Sequence, residues 1–360
     1  MSDLLTMYDY LLKDDGPAAI VVKQWLKPVG DTVVFPPTYA NPSQKKGDPP
    51  VYNIDWFGPN KEHSVCVIDS VPSQANRIEP SFATIADGKL VPQIRVQATI
   101  DGETVFVNLL EPGHRAADAV VRFSPLADEL KKAIKARDKG DSLPLARIAP
   151  TSLVFGMWDS RETGVKVPRL INSIIRAYDV REYRRSAQYF PALEYESAGV
   201  GKEEDLKKAS TEGMAEVPAT FARGGVEALG GIARDASLNL CTLRDIATST
   251  ADHLMKLRRY LLGLSLVAIT YFDGKILSLR QGCQLVAVPD KPLERKLVHA
   301  DGTEKALDIT RDAAIDYAVA VADKFGVDLK PRDVTFDPKA AKAALKKKDK
   351  KPADEPAEAK

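Results

Sequence analysis

Two groups of polar side chains have the types and spacing to hold phosphate, and one pair could serve general-base chemistry. In IDSVPSQANRIEPSFATIA (68–86), Pro72 suits the first position of a helix, with Ser70 or Val71 near its cap. At about 100° per residue, Ala75, Ile78, Phe82 and Ile85 share one face. Ser73, Asn76 and Arg77 turn the other way within the first two turns. A helix N-terminus offers unpaired N–H groups and a positive dipole end, so this cluster reads as a phosphate site. The alternative is that Asn76 and Arg77 cap or pair with neighbouring loops.

The second group lies in VKVPRLINSIIRAYDVREYRR (165–185). The periodicity predicts a helix over 167–178 with Leu170, Ile171, Ile174, Ile175 and Tyr178 on its buried stripe. Arg169, Asn172, Ser173 and Arg176 then fall on the opposite face. Lys166, Arg181, Arg184 and Arg185 extend that stripe at either end. Between Arg161 and Arg185 seven basic residues stand against Glu162, Asp179 and Glu182, a local excess of four. Like charges at this spacing repel unless an anion lies between them. Either a phosphate backbone supplies that anion, or the three carboxylates neutralise the stripe.

Other candidates carry less chemistry. His114 and Asp118 in HRAAD could form a base and its orienting carboxylate, but no Ser or Cys nucleophile motif accompanies them. His114 also reads as a polar residue at a helix start. ARGGVEALGG lacks the GK[ST] ending of a phosphate-cradling loop. Asp69, Asp118 and Asp159 lack a recognisable metal spacing. The four histidines are dispersed without an HExxH, and Cys66, Cys241 and Cys283 stand far apart without a CxxC. No cofactor, no metal site and no catalytic residue is expected.

The elements that must position these groups mix strands and helices without regular βα alternation, which predicts an α+β fold. Strands are expected at 18–30, 63–70, 151–159, 265–274 and 280–289. A hairpin is expected over 92–112, turning at Asp101-Gly102. Helices are expected at 72–86, 114–122, 125–138, 251–262 and 310–325, the last capped by Thr310 and ended by Gly326. One domain spans 1–337, with insertions near 31–62 and 196–235. The tail 338–360 is Lys-rich and of low complexity, expected to be disordered or transiently helical.

Composition is that of a protein with a sizeable core: 360 residues, 44% hydrophobic and 28% charged, with a net charge of +1. The longest apolar stretch, 261–270, is too short to span a bilayer, and no basic n-region opens the chain. A cytoplasmic protein without membrane contact is expected. One basic stripe on an otherwise balanced surface fits local gripping of a phosphate backbone.

FPPTYA (35–40), DSVPSQANRIEP (69–80), HRAADAVVR (114–122), Trp158-Asp159 leading to VPRLINSIIRAYDV (167–180), and RSAQYFPALEY (185–195) together resemble one family. It is the Cas seven backbone family of RAMP proteins, in the branch of type I-G (formerly I-U) CRISPR systems. The resemblance runs from about 17 to 290. It implies an RRM-like (ferredoxin-like) core with large thumb- and finger-like insertions. It further implies copies stacking head to tail on a guide RNA held by its sugar-phosphate backbone, free to pair with a target DNA strand. The implied partners are guide RNA, target DNA, further copies of the chain, and the large and guide-processing subunits of a Cascade-like complex. It carries RNA contacts onto Ser73, Gln74 and Arg77, and makes Arg169, Asn172 and Arg176 plausible partners. Asn76, His114, Arg115, Lys166, Arg184 and Arg185 complete the expected RNA-binding set. Two other classes compete: a RAMP endoribonuclease trimming the guide precursor with His114 as base, and a structural protein without RNA.

Overall fold

The computed structural model describes residues 2–43, 49–195, 197–200 and 206–348. β-branched runs with alternating burial build its main sheet. In chain order its strands are Ala19–Pro28 (β1), Ile54–Phe57 (β2), His63–Asp69 (β3), Ile171–Tyr178 (β4), Ile232–Asn239 (β5), Leu277–Arg280 (β6), Cys283–Ala287 (β7), Glu294–Val298 (β8) and Glu304–Ala306 (β9). All are antiparallel, in the order β6-β7-β1-β5-β4-β3-β2; β8 also pairs with β1, and β9 with β8. With helices on one face of an antiparallel sheet, the fold is α+β.

Three helices matter for the site. Val71–Ile78 (α1) leaves the end of β3, Ala251–Ile269 (α2) follows β5, and Arg311–Phe325 (α3) packs on α2. Ile20, Val22 and Leu26 of β1, Ile171 and Ile175 of β4, and Leu238 of β5 turn to the helical side and are buried. Gly263 sets the approach of α2 to α3: a Cβ there would lie 2.7 Å from Val321 Cγ2 and 3.0 Å from Ala318 Cα. Thr310 caps α3 through the Ala313 N–H, and Gly326 ends it at φ 81°, both as expected. The hairpin Ile94–Ile100/Glu103–Asn108 turns at Asp101 (φ 51°) and Gly102 (φ 87°), again as expected.

Several expectations are corrected. The largest concerns 167–178, expected as a helix, which holds strand β4. Its inward positions Ile171, Ser173, Ile175 and Ala177 face Leu238, Ala236, Arg234 and Ile232 of β5. The period is two; Ile174 and Tyr178 belong to the outer face and only mimicked a helical stripe. Ser173 is therefore buried, at 3% exposure, and not on a polar face with Asn172 and Arg176. The strand expected over 265–274 is not formed: α2 continues to Ile269, because a helix buried all round has no polar face to betray its period. In 151–159 only Met157–Trp158 is extended, after a helical turn at Thr151–Val154.

The helix expected over 72–86 ends at Ile78 and gives way to short 3₁₀ turns at Glu79–Ala83 and Ile85–Gly88. Pro80 has no N–H to continue the ladder. The excursion expected over 196–235 ends earlier, since β5 is a central strand from Ile232. The two expected insertions meet: Val33–Val34 pairs with Val217–Ala228, which itself pairs with Val180–Tyr189. The tail contributes a helix at Pro338–Lys348, and positions 349–360 lie outside the described residues.

Candidate nucleic-acid interface

The end of β3 delivers Asp69 to the start of α1, and Asp69 has no exposed surface. A buried carboxylate must be met by donors. The Ser73 hydroxyl donates to Oδ1 at 2.7 Å, Gln74 Nε2 to Oδ2 at 2.5 Å, and Arg77 Nε to Oδ2 at 3.0 Å. Arg280, at the end of β6, donates through Nη2 to Oδ1 at 3.1 Å. Arg77 Nη2 also reaches the Leu279 carbonyl at 2.8 Å, so α1 and β6 are tied together through guanidinium groups. The side chains of Arg77 and Arg280 remain 30% and 25% exposed. One carboxylate cannot neutralise both, and net positive charge is left at the surface. The Phe35 ring lies beside this cluster, its carbonyl 3.4 Å from Arg280 Nη1, and Arg185 sits over the ring at 5.6 Å.

Gln74 is fully buried, and its Oε1 accepts the Ser173 hydroxyl at 2.9 Å, joining α1 to β4. It fixes Asp69 from inside.

A second cluster forms around Gly156, on the other flank of α1. Arg115 is 4% exposed, with Nε 2.6 Å from Glu79 Oε2, Nη1 3.0 Å from the Gly156 carbonyl and Nη2 3.4 Å from Asn76 Oδ1. Burial pushes the Glu79 carboxyl up to about 7, although Arg115 and Thr151 pull the other way. Arg169 donates through Nε to the Phe155 carbonyl at 3.0 Å; burial and then the Arg115 charge lower its pKa. Gly156 is at φ 73°, and a Cβ there would lie 2.6 Å from Arg169 Cγ. Glycine is therefore required for Arg169 to lie where it does.

Ser73, Asn76 and Arg77 share one face of α1, as the helical period requires, and link the two clusters. Asp69 joins Arg280 to Arg77, and Asn76 meets Arg115. Arg115 and Arg169 bind the successive carbonyls of Gly156 and Phe155, which lead into the short hairpin that carries Lys166; these residues form a basic row.

Asn172 and Arg176 lie elsewhere, on the outer face of the sheet. Arg176 Nη1 is 4.0 Å from Asp235, which also accepts the Tyr178 hydroxyl at 3.1 Å. The neighbouring depression, of about 420 Å³, is lined by Lys23 and Lys296 but also by Asp235, Glu294 and Glu304. Phosphate gains little on such a surface. Arg184 and Arg185 are exposed on the arm strand Val180–Tyr189, while Arg181 on that strand pairs with Glu227 and Arg223 on the facing strand Val217–Ala228 pairs with Glu182.

His114 is exposed, but Asp118 directs its oxygens to the backbone N–H groups of Val120 and His114, at 3.1 and 3.4 Å. That arrangement caps a helical turn. Among the described residues, no three His, Cys, Asp or Glu side chains are grouped to hold a metal ion, and no helix is long and apolar enough to cross a membrane.

Sequence reasoning missed Arg280, Phe35 and Glu79. The string RQGCQLVAVP gave no sign that its arginine meets Asp69. Asp69 was missed as well, considered only as a metal ligand, although its place near the end of the expected strand 63–70, four before Ser73 and eight before Arg77, was the signal that could have found it.

Residues 20–182, less than half of the chain, match the family model described as CRISPR-associated protein GSU0053. The matched segment includes β1, β3, α1 and β4, and stops short of β5 and Arg280. No curated protein matches the chain.

Proposed function

We propose that the chain is a CRISPR-associated protein, a non-catalytic RNA-binding backbone subunit of the Cas seven type from a type I-G system. Its copies stack head to tail along the guide RNA of a Cascade-like complex and present that RNA to the target DNA strand. The reading rests on the pair Arg77 and Arg280, held on the single buried carboxylate of Asp69. Guanidinium groups locked by a buried anion are pre-organised, and their residual charge suits a phosphate oxygen. Asn76, Arg169 and Lys166 continue the same row. Gln74 and Arg115, both buried, position their neighbours and do not reach RNA.

The order of core strands supports an RRM-like reading. Taking β1, β4, β5 and β8 as the four strands, with α1 before β4 and α2 after β5, gives a β-α-β-β-α-β unit. Their order across the sheet is β8-β1-β5-β4, the ferredoxin-like arrangement. The arm Val180–Tyr189/Val217–Ala228 extends the β4–β5 hairpin and, with Arg184 and Arg185, serves as the thumb-like element. The acid-balanced outer face argues against base stacking across the sheet and for gripping the backbone along α1. Guide pairing then supplies sequence recognition, so the protein needs none of its own.

The direct test is whether RNA of discrete length stays with the protein purified from cells carrying a guide array. Protein free of nucleic acid that also ignores added guide RNA would contradict the reading. Purified protein should leave guide precursor intact with Mg²⁺ present; cleavage abolished by His114→Ala would establish the endoribonuclease instead.

A further inference from the structure

The short hairpin Met157–Trp158/Lys166–Val167 adjoins the basic row and presents an aromatic side chain. Trp158 is 56% exposed. Lys166 is its partner in register, and Lys166 Nζ lies 4.6 Å from the indole centroid. The hairpin is held at both ends. At its tip Asp159, 4% exposed, accepts the N–H groups of Glu162 and Thr163 and the Thr163 hydroxyl, at 3.2, 3.0 and 2.7 Å. At its base the Gly156 carbonyl takes Arg115 and the Phe155 carbonyl takes Arg169. Glu162 pairs with Lys131 at 3.2 Å, so the nearby carboxylates are occupied while Arg161 is exposed.

We propose that Trp158 is a stacking post for an unpaired base of single-stranded nucleic acid, with Lys166 and Arg161 beside the flanking phosphates. This rests on the RNA-binding reading above. The chemistry favours that ligand: a rigid, exposed indole bordered by cations matches a flat base carried on an anionic backbone. Every base offers a π-face, so the post places no constraint on guide sequence.

The test uses the full chain and single-stranded RNAs of unrelated sequence carrying a fluorescent adenine analogue at successive positions. Trp158→Ala should weaken binding about tenfold and abolish quenching of the analogue at one position. Trp158→Phe should retain most of both. The salt dependence of binding should not change, because no phosphate contact is lost. Melting of both variants checks that the fold is intact. Wild-type RNA binding with unchanged affinity and quenching in Trp158→Ala overturns the stacking post and leaves the proposed function standing. Unchanged RNA affinity with weakened self-association in Trp158→Ala overturns it in favour of a contact with a second copy. Wild-type protein that binds no RNA overturns both.

Discussion

The Arg280 guanidinium meets the carboxylate of Asp69 at 3.1 Å across 211 residues of sequence, and there joins Arg77. That meeting ties β6, at one end of the sheet order, to α1, and it leaves two arginines sharing one buried negative charge.

Removing the shared carboxylate should therefore be costly. Asp69→Ala leaves Arg77 and Arg280 uncompensated and Gln74 without its acceptor, which should cost about 3–5 kcal/mol in denaturant unfolding. Asp69→Asn, which keeps an acceptor but loses the charge, should cost less. A loss below about 1 kcal/mol for Asp69→Ala would mean that the cluster carries little of the fold.

Gly156→Ala tests the second cluster. The residue is at φ 73°, and its Cβ would enter the space of Arg169 Cγ and approach the Val167 carbonyl to 2.9 Å. A penalty of about 1–3 kcal/mol is expected in thermal or denaturant unfolding, with weaker RNA binding as Arg169 shifts. Unchanged stability would show that the loop moves freely.

The buried Glu79 gives a pH dependence of defined sign. Its folded pKa, raised to about 7 from an ordinary 4.5, means that the folded state keeps a proton the unfolded chain releases within that window. Its contribution is fully present below pH 4.5 and lost as the pH rises to about 7. The stability of wild type relative to Glu79→Gln should fall across that window and level off above it. A difference that rises with pH would mean that pairing with Arg115 outweighs burial.

The tail separates into two parts. Arg332–Thr335 pairs with Ile94–Ile100, and Phe336 packs edge-on against Phe123 at 6.4 Å. The helix Pro338–Lys348 is mostly exposed, with Leu345 at 68%. Truncation after Pro338 should leave the melting temperature nearly unchanged, whereas truncation after Lys330 should lower it by several degrees. Equal effects would show that the exposed helix docks.

Local signals carried much of the fold. β1, β3, the Asp101-Gly102 hairpin and the capped α3 were legible because strand alternation, turn chemistry and caps act over a few residues. β4 was not, since Ile171, Ile174, Ile175 and Tyr178 trace a helical stripe in the sequence although the strand divides them between its two faces, and only pairing with β5 decides. The site was half legible. Ser73, Asn76 and Arg77 followed from the period of α1, but Arg280 depends on a contact between β6 and the β3–α1 junction 211 positions away in the chain. Burial of Arg115 depends on Glu79, thirty-six positions earlier in the chain.

In the proposed function Arg77 and Arg280 hold phosphate. Binding of unrelated single-stranded RNAs should be titrated at several salt concentrations for wild type and for Arg77→Ala/Arg280→Ala. At roughly −0.7 per phosphate contact, losing two should flatten the log–log salt dependence by about 1.4 and weaken every RNA alike. An unchanged slope and affinity in a folded double variant would contradict the account.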